Sequence, residues 1–157
     1  MKPAIVAQSA AYNLGVVAIG FVFAWVSRQI DALLHIREFY SLVAMLAGWL
    51  LIASGLLIRV WATGLFLEQR MTVISLHPQT ALITTGPYRF TRNPLYLGGN
   101  VFLFLGVSLL FGSPTAAFVT ALNVVAVALM VRREERQLTQ QFGEDFLRYK
   151  GQVRRWL

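Results

Sequence analysis

The chain has 157 residues, of which 57% are hydrophobic and only 13% charged, with a mean hydropathy of +0.60; a small soluble domain cannot hide that much apolar surface, so the composition points to an integral membrane protein. Cysteine is absent, which excludes a disulfide framework, a thiolate nucleophile and a cysteine zinc site, and two well-separated histidines, His35 and His77, argue against a histidine metal centre. The net charge of +7 suits the Lys and Arg excess that membrane proteins keep on their cytoplasmic side.

The first apolar run, residues 10–27, reads as a retained span. Lys2 suits a signal peptide, but "AWVSRQI" is a poor cleavage site and further spans follow. The second run, 40–66, exceeds the roughly twenty residues that cross the hydrocarbon core, so its helix tilts or emerges among the headgroups, with Arg59 near the exit. Gly48 and Gly55, with Ala47 and Ser54, are small residues that allow close helix contact. In the loop over 68–94, "TVISL" and "ALITT" flank "HPQT", which predicts a short hairpin or an extended connection. The third run, 95–112, opens with Asn93 as N-cap and Pro94 in the first turn; the fourth, 114–131, opens with Ser113 and Pro114 by the same logic. The "GSP" between them predicts a tight antiparallel hairpin. The tail, 132–157, is amphipathic, with Leu138, Phe142, Phe146 and Tyr149 at helical spacing and Gly143 as a bend or break.

Charge counting in the loops sets the expected topology. With the N-terminus inside, Lys2, Arg70, Arg89, Arg92 and the basic tail are cytoplasmic, and only Arg28 and Arg37 are outside. The expectation is a single all-α membrane domain over 1–157 with four transmembrane helices, a cytoplasmic loop, an amphipathic C-terminal helix and both termini cytoplasmic.

The stretch "GPYRFTRNPLYLGG", residues 86–99, is the first candidate for chemistry. Free backbone N–H groups at a helix start attract an anion, and Arg89 and Arg92 add forked positive donors. Tyr88 and Tyr96 supply aromatic faces, and Gly98 and Gly99 let a ligand or another backbone approach. The same residues also suit topology charges, an aromatic belt and helix packing. Glu134 and Glu135 follow the fourth run, and a tight hairpin returns them to the level of Arg92 and Asn93. A carboxylate there can hold a ribose hydroxyl or a cation; surface ion pairing with Arg132, Arg133 and Arg136 is the plainer use. Arg59 is a candidate for a substrate anion, with snorkelling to the headgroups as the alternative. Asn100 and Asn123 read as interhelical hydrogen-bonding residues, His77 as a turn residue and His35 as an outer-loop residue.

"LITTGPYRFTRNPLYLGG" followed by "REERQLTQQFGEDFLRYKGQVRRW" resembles the integral-membrane methyltransferases of the isoprenylcysteine carboxyl methyltransferase and phospholipid methyltransferase group. The resemblance covers about residues 55–157 and includes "RVWA" at Arg59–Ala62. It implies methyl transfer from S-adenosylmethionine, held on the cytoplasmic side between loop, helix hairpin and tail, to a lipidic substrate entering from the bilayer. Carried onto this sequence, the cofactor-binding residues are Leu82, Gly86, Pro87, Tyr88, Arg92, Asn93, Tyr96, Leu97, Gly98, Glu134 and Glu135. Arg92, Glu135 and Arg59 are the expected catalytic residues, and no metal is called for. An ionised carboxylate acceptor needs no base, whereas an amine or thiol acceptor makes Glu134 or Glu135 the candidate base. The expected reaction is carboxyl methylation of an isoprenylcysteine-like amphiphile; the rivals are methylation of a phospholipid amine or a small thiol, or a non-catalytic lipid-binding or packing protein. Two departures stand out. Asn93 occupies the position of the family's His and cannot titrate near neutral pH, and the family's closing Val-Pro-Arg reads Val153-Arg154-Arg155.

Overall fold

The computed structural model describes residues 3–71 and 80–157. It is all-helical among those residues. Four helices are long and apolar enough to cross a membrane: α1 (Pro3–Leu33), α2 (Leu42–Glu68), α3 (Pro94–Phe111) and α4 (Pro114–Phe142). A short α5 (Glu144–Gln152) follows. Leu14, Ile19, Leu50, Leu57 and Val125 lie exposed on the outer faces of the first, second and fourth helices, as a lipid-facing surface requires.

The first and fourth helices run well past the apolar stretches that define them in the sequence, whereas the second and third keep within two residues of theirs. The fourth does not stop where its apolar run gives way to the tail. "RREERQLTQQF" contains no helix breaker, so α4 continues to Phe142 and ends at Gly143, whose φ of +52° only glycine adopts easily. The acidic pair is therefore held on a direct continuation of the fourth span and not on a separate C-terminal helix. The first arm of the expected loop hairpin and His77 lie outside the described residues, and its second arm, 81–85, is irregular chain.

Glycines set the central crossing. A Cβ on Gly55 would lie 2.6 Å from the Gly98 carbonyl oxygen, and one on Gly48 would lie 2.8 Å from that of Gly106. Gly48 and Gly55 are two turns apart on α2, so one stripe of that helix meets α3 backbone to backbone. Ser54 lies off this stripe, half-buried, and donates to the Leu50 carbonyl of its own helix. Within α3, residues Leu97–Leu103 form a wide π-helical segment beginning at this contact.

The α3–α4 connection is as tight as "GSP" implies. Gly112 turns in the left-handed region at φ +60°, and Ser113 Oγ accepts the Ala116 N–H at 3.1 Å, capping α4. The fully buried Asp31 carboxylate accepts from Ser113 Oγ, from Thr115 Oγ1 and from the Thr115 amide, fastening the end of α1 to that turn. On α3 and α4, Asn123 Nδ2 points at the Asn100 carbonyl at 3.4 Å, the interhelical contact expected of those residues. At the other end of the bundle, Ala62, Phe66, Met71, Ile83 and Tyr88 form a small apolar core under the loop.

Candidate functional site

The loop motif and the C-terminal segment meet at one carboxylate. Glu135 is buried on α4, and Arg92 reaches its Oε1 from Nη2 at 3.0 Å and from Nε at 3.1 Å. Arg155 makes the second fork, Nε to Oε1 at 3.0 Å and Nη2 to Oε2 at 2.7 Å. The bond to Glu135 pushes the Arg155 guanidinium further above its ordinary range. One carboxylate between two guanidinium groups leaves a net positive charge at this spot.

Arg92 does more than pair with Glu135. Its Nη1 donates to the carbonyls of Val153 at 2.8 Å and Lys150 at 2.9 Å, and its amide donates to that of Arg154 at 2.9 Å. Thr91 Oγ1 and Asn93 Nδ2 both donate to the Arg155 carbonyl at 3.0 Å. The expected side-chain cap by Asn93 is therefore not made. The Asn93 carbonyl still opens α3, accepting from Leu97 N–H at 2.9 Å, but its side chain is drawn to the stronger demand of the tail carbonyl.

Glu134 is differently placed. It accepts from the Tyr96 hydroxyl at 3.0 Å and forms no ion pair among the described residues. Thus Tyr96 at the start of α3 and Glu134 on α4 are joined across the hairpin, beside the neutralised Glu135.

The other sequence-nominated residues are mostly packed. Tyr88 lies in the apolar core with its ring 6.2 Å from that of Phe66, and its carbonyl accepts from the Tyr149 hydroxyl at 2.7 Å. Burial pushes both tyrosine hydroxyls above their ordinary range. Gly86 turns at φ +59° against Leu65 and Trp61 of α2, beside the buried Pro87. Leu97 is buried, and the space beside Gly98 and Gly99 is filled by Gly55 and Arg59 respectively. At these two glycines the close approach is thus to helix α2.

Leu82 lines an open cleft of about 590 Å³ between the loop and α5, with Thr84, Arg89, Asp145, Arg148 and Tyr149 among its walls. That volume is in the range of small-molecule sites. Val153 also lines the cleft, and its carbonyl is bound by Arg92, so cleft and acidic pair share a wall.

Arg59 is brought to neither carboxylate. It is 2% exposed, its Nη1 donates to the Leu95 carbonyl at 3.0 Å, and the Tyr12 ring of α1 lies 5.1 Å from its guanidinium carbon. The sequence reading missed Arg155, Thr91 and Tyr149 as site residues. Arg155 had a signal, since it keeps the arginine of the family's closing pattern; Thr91 and Tyr149 act through backbone carbonyls, which no residue pattern announces.

The phospholipid methyltransferase family matches residues 43–145 of the chain. No curated protein and no solved structure gives a significant match. The matched segment runs from the first turn of α2 through the loop motif, the α3–α4 hairpin and the Glu134–Glu135 pair, and it leaves α1 outside. With more than half its length so matched, and with its loop motif and acidic pair joined in space, the chain belongs to the phospholipid methyltransferase family of membrane proteins.

Proposed function

We propose that the chain transfers a methyl group from S-adenosylmethionine to an amphiphilic acceptor that reaches the site from the bilayer, with both termini, loop and tail on the cytoplasmic side. The observation that carries this reading is the meeting of Tyr96 and Arg92 with Glu134 and Glu135 across the hairpin. The cofactor supplies an electrophilic methyl sulfonium. The residues fit such a group: Arg89 and Arg148 can hold its carboxylate, Asp145 its ammonium, and Leu82, Tyr149 and Val153 the flat base. Arg92 and Glu135 hold the tail over that cleft and so shape its wall; they act as positioning residues. We assign Glu134 and Tyr96 to the reacting end, with the role of aligning the acceptor and excluding water.

For the acceptor, two observations favour a phospholipid amine over the isoprenylcysteine-like carboxylate that the sequence suggests. The matched family is described as phospholipid methyltransferase, and Glu134 keeps a carboxylate with no ion-pair partner among the described residues, suited to taking an amine proton. The test is incubation of the purified chain with methyl-labelled cofactor and either phosphatidylethanolamine or a farnesylated thioacid. Label in the phospholipid supports the amine reading, and base-labile label in the thioacid supports carboxyl methylation. Label in neither, with cofactor bound, contradicts both acceptors.

A further inference from the structure

Among the described residues, the buried side-chain polar atoms that lack a hydrogen-bond partner are Ser9 Oγ, Asn13 Oδ1, Arg59 Nε and Arg59 Nη2. All belong to one seam between α1 and α2. Asn13 Nδ2 donates to Thr63 Oγ1 at 3.1 Å and to the Ser9 carbonyl at 2.8 Å, and Thr63 lies one turn beyond Arg59 on the same face of α2. Tyr12, the neighbour of Asn13, covers the Arg59 guanidinium. Buried polar groups in native proteins almost always find partners, and a charged donor left without one is the costliest kind. Four such atoms along one seam therefore call for an occupant.

The unpartnered atoms describe its chemistry. Nε and Nη2 form one edge of the guanidinium, the geometry that grips two oxygens of a carboxylate or phosphate side-on. The third nitrogen is already fixed on Leu95, which anchors the group and aims that edge. Asn13 Oδ1 is an acceptor and repels a bare anion, so it asks for an N–H or O–H. Ser9 Oγ can serve either. We infer that α1 and α2 enclose a headgroup subsite that takes the anionic group of an amphiphile through Arg59 and a neighbouring N–H or O–H through Asn13 and Ser9. The half-exposed Tyr12 ring forms its wall toward the bilayer. Calling that amphiphile the methyl acceptor rests on the function proposed above; the subsite itself does not. Ser9, Tyr12 and Asn13 lie on α1, outside the family match, whereas Arg59 lies within it.

The test is equilibrium binding of labelled lysophosphatidylethanolamine and lysophosphatidylcholine to the full chain in detergent, without cofactor. The two lipids share a phosphate and differ in whether the amine carries N–H. Saturable binding is expected, about tenfold tighter for the ethanolamine lipid, as one lost hydrogen bond to a charged group implies. Asn13→Leu should erase that preference, and Arg59→Gln should weaken both lipids about tenfold or more. Asn13 is only partly buried, so Asn13→Leu keeps the question answerable if Arg59→Gln fails to fold. Binding of S-adenosylhomocysteine should be unchanged in Asn13→Leu. No saturable lipid binding, or a preference that survives Asn13→Leu, overturns the subsite. Displacement by millimolar inorganic phosphate makes it a free-anion site and overturns the lipid assignment. Lipid binding without any S-adenosylhomocysteine binding sinks the methyltransferase reading alone.

Discussion

Arg92 and Glu135, 43 residues apart in sequence, face each other at 3.0 Å with side chains 9% and 7% exposed. The pair joins the loop motif to the fourth helix, and the second fork from Arg155 brings in the irregular segment after α5. Removing Glu135 leaves two guanidinium groups without their anion. Glu135→Ala should cost about 3 kcal/mol of stability, as for breaking a buried ion pair from one side. Arg155→Ala should cost less, because that side chain is 31% exposed. Unfolding midpoints in mixed micelles check the order; equal losses would contradict it.

The glycine crossing predicts a contrast within α2. Gly55→Ala puts a methyl against the Gly98 carbonyl, whereas nothing lies within 4 Å of a Cβ on Gly64. Gly55→Ala should lower the melting midpoint and Gly64→Ala should leave it level or raise it, by up to about 1 kcal/mol, through helix propensity alone. Matching behaviour of the two variants would argue against the close backbone contact.

Much of this fold was legible because its causes are local. Apolar run length gives the four spans, "GSP" gives the tight hairpin, and paired glycines give the crossing. The site was legible as two motifs whose hairpin returns Glu134 and Glu135 to the loop. What the sequence hid was how those motifs are used. Asn93 looks like a cap, yet its side chain binds the Arg155 carbonyl, because that carbonyl comes from a segment 62 residues away. Gly98 looks open to a ligand until α2 is placed beside it. Ser9, Asn13 and Thr63 give no motif at all; only the meeting of α1 with α2 makes them a group.

Tyr149 and Tyr88 give the fold a pH dependence at the alkaline side. Burial raises both hydroxyls above their unfolded values, so above about pH 10 the unfolded chain releases protons that the folded chain keeps. The contribution is fully present below pH 10 and declines as pH rises toward the folded values. Tyr149→Phe should lower stability at neutral pH by about 1 kcal/mol, through loss of the bond to the Tyr88 carbonyl, and should flatten the decline above pH 10. Melting midpoints across pH 8–11 test both parts; an unchanged alkaline slope would contradict the second.

Glu134 separates the acceptor chemistries. With an amine acceptor, Glu134→Gln should lower kcat by about 10²–10⁴, the usual contribution of a general base. With a carboxylate acceptor, already ionised, the loss should stay within about tenfold. Initial rates for the wild type and this variant, on phosphatidylethanolamine and on the farnesylated thioacid, decide it.

The central claim, that this chain binds a methyl-donor cofactor between loop and tail, is tested most directly by calorimetric titration of the detergent-purified protein with S-adenosylhomocysteine. The account predicts saturable one-to-one binding that weakens about tenfold in Arg89→Ala, where a charged contact of the cleft is lost. No heat of binding at millimolar ligand, from protein whose helical circular dichroism is intact, would contradict it.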